Sequence, residues 1–241
     1  MEVLKELISS IEDKPVKDLI VGAFITMVKS ERIGCASTVM NKNCSKRDFR
    51  NLISKSLKEL AELSLSEDTI DSSIGVAAIN AGIKIKFEKL REIKGQDIML
   101  IVGKNKDCAV IGHFPFLEKI KGNFKSLNIF ELHPEEGDIP ADKIPEFLPY
   151  ADVVAITGMT ITNHTFEDVI KYVKKDAFVI MLGPSTPISE ILFDYNVDAV
   201  CGSIVEDEET FITYVKEGVC VKNLKGLRQV AILKENYDRI L

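Results

Sequence analysis

Apolar positions recur along this chain in two regimes that change near residue 95. In the first, Val3, Leu4, Leu7, Ile8 and Ile11 fall on one face of a helical repeat, which predicts an amphipathic helix at the start. Two β-rich runs follow, DLIVGAFITMV (18–28) and IGCASTVM (33–40), with the polar KSER between them as a hairpin turn. Phe49, Leu52, Ile53, Leu57, Leu60 and Leu63 then return to helical spacing, with Ser45 and Asp48 available as N-terminal caps. A second helix is expected over residues 71–81, DSSIGVAAINA, whose small residues let another backbone approach closely. Helix, hairpin and helices make a small α+β unit.

Beyond residue 95 short apolar runs alternate with amphipathic ones. The predicted strands are CAVIGH (108–113), LNIFEL (127–132), VVAITG (153–158), FVIML (178–182) and AVCGSI (199–204). Helices are expected over 115–121, 166–174, 187–195 and 208–216. Strands that are apolar throughout and alternate with helices predict a parallel sheet covered on both faces, a Rossmann-like domain. Thr165 with Asp168 has capping-box spacing, and Thr186-Pro187 reads as a cap followed by Pro at the first helical position. The expected fold class is therefore α/β: an N-terminal α+β domain over 1–95, then a Rossmann-like domain over 96–241.

Composition narrows the function. The chain has 241 residues and a formal net charge of -6. The first 95 residues carry 16 basic and 14 acidic side chains and the remainder 15 and 23, so the acidic excess sits in the second unit. No Lys/Arg cluster with interleaved aromatics is present, which argues against a nucleic-acid partner. No apolar run approaches a membrane span and the first twenty residues hold no signal-peptide core, so a cytoplasmic protein without membrane contact is expected. Five scattered Cys with no C-x-x-C pair disfavour a disulfide framework or zinc ribbon. Cys108 and Cys201 read as core residues, Cys35 as placed to face a cleft, and Cys44 as exposed. Gln is scarce too, at Gln96 and Gln229 only.

Candidate chemistry collects at one rim. Ligands of open α/β sheets bind beyond the carboxyl ends of the strands, and all three histidines of the chain, His113, His133 and His164, fall in loops at that end. Neutral imidazoles there suit a transition metal or acid/base chemistry near pH 7. The loop GHFPF (112–116) lacks the G-x-G-x-x-G fingerprint, and Phe114 and Phe116 would fill the pyrophosphate's space, which argues against NAD-type binding. Glu131, ending the second strand, stands where Rossmann-like sites often hold a ribose hydroxyl, which keeps an adenosyl-type ligand open. The polar loops TNHT (162–165) and GPST (183–186) suit an anionic group, and simple helix capping explains Thr165 and Thr186 equally well.

The runs IGVAAINA (74–81), VIGHFPF (110–116), Glu131-Leu-His-Pro, the strand 152–158 followed by Thr162-Asn-His-Thr165, and Gly183-Pro-Ser-Thr-Pro187 occur in that order. Together they resemble the "putative heavy-metal chelation" domain family, found in archaea and anaerobic bacteria. The resemblance implies an enolase N-terminal-like domain, then a Rossmann-like domain, with a site in the cleft between them. Carried over position by position, it implies Asn80, His113, Glu131, Asn163, Thr165, Ser185 and Thr186 as cleft residues. Two readings follow. One is a protein that binds a metal or a metal-chelating small molecule, with His113, His133 and His164 as candidate ligands. The other is a transferase or lyase using an adenosyl-type or nucleotide-like ligand held by Glu131 and the two polar loops. Gly75, Ala77 and Ala78 suit either domain docking or a homodimer interface. No catalytic residue is assigned.

Overall fold

The computed structural model describes residues 1–40 and 47–235. Cys44 and Ser45, the expected exposed thiol and one expected cap, lie outside the described residues. After an amphipathic helix, Glu2–Ser10, come three antiparallel strands in order: β1 (Asp18–Val21), β2 (Ile25–Lys29) and β3 (Ile33–Ser37). The sequence pattern merged β1 and β2 into one run. They are separated by a tight turn in which Gly22 N donates to Ile25 O at 2.9 Å, and the apolar Ala23 and Phe24 within it disguised the break.

The predicted long helix also divides. Asp48 caps Phe49–Ser54, and Ser56 then starts a new helix, Leu57–Ala61. The Ser56 hydroxyl accepts from Glu59 N while the Glu59 carboxylate accepts from Ser56 N, so a capping box restarts the helix where periodicity alone runs through. The Thr69–Gly82 helix is buried on nearly every side, because β2 and β3 cover one flank and the Leu57–Ala61 helix another. Glycines set that closeness. A Cβ on Gly34 would lie 2.0 Å from Ala81 N, and one on Gly75 1.9 Å from Ser64 N.

The second sheet holds β4 (Asp107–Ile111), β5 (Ser126–Glu131), β6 (Ile139–Pro140), β7 (Val153–Thr157), β8 (Phe178–Leu182), β9 (Ala199–Val205) and β10 (Leu227–Leu233), in the order β10-β9-β8-β7-β4-β5-β6. All neighbours are parallel except β9 and β10. The chain is thus α/β, a small antiparallel α+β unit followed by a mostly parallel, Rossmann-like sheet. Counted from β4, the first six strands stand in the 3-2-1-4-5-6 order of doubly wound sheets, reversing between β4 and β7. The pattern did not predict β6 or β10: β6 is two residues long, and β10 returns antiparallel along an edge. Nor did it predict the helix Gly95–Gly103, which lies on β7, β8 and β9 through Ile98, Met99 and Val102.

The two cap signals expected in the second unit, at Thr165 and Thr186, are corrected. Thr165 precedes the Phe166–Ile170 helix, but its hydroxyl bonds Asn163 Oδ1 at 2.7 Å and makes no cap to the helix backbone. Thr186-Pro187 does not open a helix. That stretch is non-helical, and only the single turn Ile191–Asp194 follows it.

The core does not break at residue 95. Leu4, Leu7, Ile74 and Ala77 belong to one buried apolar cluster with Ala109, Val154, Met181 and Val200, so the first unit covers one face of the parallel sheet. The Gly95–Gly103 helix covers the other. Polar contacts across the junction include Val3 N to Glu167 Oε1 (3.0 Å), Tyr195 OH to Glu6 Oε1 (2.9 Å) and Ser72 Oγ to Thr162 O (2.7 Å). Among the described residues no helix is long and apolar enough to cross a membrane.

Candidate functional site

The three histidines part company in the fold. His113 follows Gly112, whose φ of +101° turns the chain out of β4. Glu131, at the end of β5, accepts from His113 N at 2.6 Å and from Leu132 N at 3.1 Å. The His113 ring places Nδ1 at 3.1 and 3.3 Å from the two oxygens of Asp138. That carboxylate is 2% exposed against 35% for the imidazole, and it also accepts from Glu135 N. His164 does something different. It sits at φ +63° with Nε2 2.7 Å from Ser64 O, bracing the parallel-sheet unit against the first unit. His133 is exposed on the loop after β5. Among the described residues no group of three or more His, Cys, Asp or Glu side chains is gathered to hold a metal ion.

The remaining candidates form separate small groups. Asn163 Oδ1 accepts from both the amide and the hydroxyl of Thr165, closing a local turn. Ser185 Oγ accepts from Ser37 N at 2.8 Å and joins the β8 loop to β3. Asn80 donates through Nδ2 to Cys35 O at 2.8 Å. Its Oδ1 and the hydroxyl of Thr186, both buried, find no partner among the described residues. These two residues line a void of about 10 Å³ between the units, together with Arg32 and Ser203. Arg32 spans the end of the Thr69–Gly82 helix, donating to the carbonyls of Asn80, Ala81 and Ile83. Burial pulls its guanidinium pKa down. Cys35 is buried, with Sγ against Pro184 O, and does not open onto a cleft.

A larger cavity of about 380 Å³ lies at the carboxyl edge beside β8 and β9. None of the candidate site residues lines it. Phe114, Phe116, Leu182, Leu224 and Leu227 supply apolar wall, and Phe114 and Phe116 stack with ring centroids 5.4 Å apart. Its polar lining is Lys94, Gln96, Ser203, Lys222 and Gln229, with no carboxylate among the described residues. Both glutamines of the chain therefore meet at one cavity. Their rarity was the sequence signal, but nothing local tied position 96 to position 229. Asp138 carried no signal at all, being one acid among several in a polar loop.

Residues 95–234 match the DUF364 family and residues 4–83 the DUF4213 family, both described as "Putative heavy-metal chelation". An uncharacterized protein of Methanocaldococcus jannaschii is 26% identical over 194 residues, covering 76% of this chain and 74% of its own. A crystal structure of a DUF364 protein of unknown function from Desulfitobacterium hafniense superposes with a TM-score of 0.84 at 28% identity, covering 97% of each chain. A second, from Pyrococcus horikoshii, gives a TM-score of 0.81 at 21% identity over 96% of this chain and 98% of its own, a likeness of fold. The two-part architecture, the ordered motifs and the matched span agree: this chain belongs to the DUF364 family described as "Putative heavy-metal chelation".

Proposed function

We propose that this protein binds a metal chelate, an organic molecule that carries its own metal donors, at the carboxyl edge of the parallel sheet. The observation that carries the reading is the contrast between two features. The cavity beside β8 and β9 is large, apolar-walled and, among the described residues, lined by two lysines and no carboxylate, while no side-chain set among those residues is gathered for a bare ion. A bare divalent ion needs several protein donors at about 2.0–2.2 Å. A chelate brings those donors with it and needs apolar area, a few polar contacts and charge complementarity. The lysines favour a chelate of net negative charge.

The adenosyl-type reading has less support. Both carboxylate oxygens of Glu131 already accept backbone amides, and Asn163 and Thr165 satisfy each other. A thermal-shift titration tests the proposal with Co(III)–EDTA and Fe(III)–citrate against Co(II), Ni(II) and Zn(II) alone. The expected result is concentration-dependent stabilisation by a chelate that disappears in Lys94→Glu/Lys222→Glu. Stabilisation by the bare ions alone, unchanged in that variant, would overturn it.

A further inference from the structure

We infer that the cavity beside β8 and β9 recognises the organic part of its ligand, a flat aromatic carboxylate, and therefore binds that acid whether or not it carries a metal. For the place of binding the inference rests on the chelate reading above. It starts from what the lining lacks. Among the described residues, no imidazole and no carboxylate lines the cavity. Its cysteine, Cys201, is a poor substitute, because the thiolate is the metal-binding form and burial pushes this thiol's pKa up to about 12. These side chains offer a transition metal no strong donor. Affinity has to come from the organic part.

What the lining does offer is a wall for a ring and charge for an acid. Phe114 and Phe116 both line the cavity, with ring planes 25° apart and centroids at 5.4 Å. Pro115 lies between them and holds its own φ near one value, which limits how far that wall rearranges. A flat ring gains stacking energy on aromatic side chains beyond the area it buries, and it freezes few internal rotations on binding. Lys94 and Lys222 supply two positive charges, and neither is paired with a carboxylate among the described residues. Gln96 and Gln229 add amide N–H donors suited to carboxylate oxygens. A metal bound to the acid cancels part of the negative charge that the lysines attract, so the metal-free acid binds at least as tightly.

Isothermal titration calorimetry on metal-stripped protein tests this with three acids that carry the same charge at neutral pH. Isophthalate is flat and aromatic, dipicolinate has the same outline with a chelating ring nitrogen, and glutarate is aliphatic. The two aromatic acids are expected to bind and glutarate to bind about tenfold more weakly. Equimolar Zn(II) should not tighten dipicolinate. Phe114→Leu/Phe116→Leu should lose about 2- to 10-fold of the isophthalate affinity and leave glutarate unchanged, while Lys94→Glu/Lys222→Glu should weaken both. Thermal melts establish that each variant is folded, and the comparison of acids on the wild-type protein needs no variant. Glutarate binding as tightly as isophthalate, or dipicolinate binding only with Zn(II), would overturn the inference. Co(III)–EDTA, aliphatic and metal-loaded, separates the two ideas. If it stabilises the protein while the metal-free aromatic acids do not bind, this inference fails and the chelate reading stands. If the aromatic acids bind in the expected pattern and no chelate does, the chelate reading alone fails. If neither kind of ligand binds, both fail.

Discussion

Cys201 lines the edge cavity, yet burial pushes its thiol pKa up to about 12, as it does for Cys35 and Cys108. At pH 8 the thiolate of such a group is about one part in ten thousand, and the thiolate is the nucleophile. Native protein treated with iodoacetamide at pH 8 should therefore be labelled at Cys220, which is only partly covered, and spared at Cys35, Cys108 and Cys201. Peptide mass spectrometry with a denatured control checks this. Labelling of Cys201 at the denatured rate would mean that the cavity wall opens. The same reasoning shows why residue type alone misleads about sites. Three histidines at one rim looked equivalent in sequence, and their partners, a buried carboxylate, a backbone carbonyl and solvent, separate them.

At the scale of elements, close packing of β3 on the Thr69–Gly82 helix depends on one missing side chain. Gly34→Ala would drive a methyl against the backbone at Ala77, Asn80 and Ala81, and overpacking of this kind costs about 1–3 kcal/mol or more. Gly122→Ala meets nothing within 4 Å and should be close to neutral. Urea denaturation of the two variants checks the difference, with the first midpoint lowered and the second unchanged. Existence of elements was largely legible, since five strands of the parallel sheet and the buried helix were read from periodicity. Boundaries were not. The β1–β2 turn and the helix restart at Ser56 depend on hydrogen bonds from single residues inside runs that stay apolar or helical in pattern.

Across the whole molecule, the shared core predicts one unfolding transition. Tyrosine fluorescence and far-UV circular dichroism should report coincident midpoints, and two separated transitions would show that the units fold apart. A fragment starting at residue 95 would expose the sheet face that Leu4, Leu7 and Ile74 cover, so it is expected to aggregate. Acid should weaken the fold. Lys86 and Lys89 hold the Glu190 carboxyl below its ordinary value, as Lys174 and an amide bond do for Asp152, and Lys125 and Ser126 for Asp107. Each pKa is lowered on folding, so the unfolded chain binds more protons. The stabilisation is full above the ordinary carboxyl range and is lost as pH falls through the depressed values. The urea midpoint should fall between about pH 5 and pH 3, less so in Glu190→Gln. Exposed pairs contribute little singly, so the effect comes from their sum.

The sequence by itself determined the two regimes and the type of most elements, because periodicity and strand polarity are local properties of the chain. Only the tertiary structure decided which side chains meet. Asp138 reaches His113 across 25 residues because β5 pairs beside β4, and Gln96 joins Gln229 because the Gly95–Gly103 helix starts beside β9, against which β10 returns. Strand order sets such meetings, and strand order is a property of the packed sheet that no local pattern encodes.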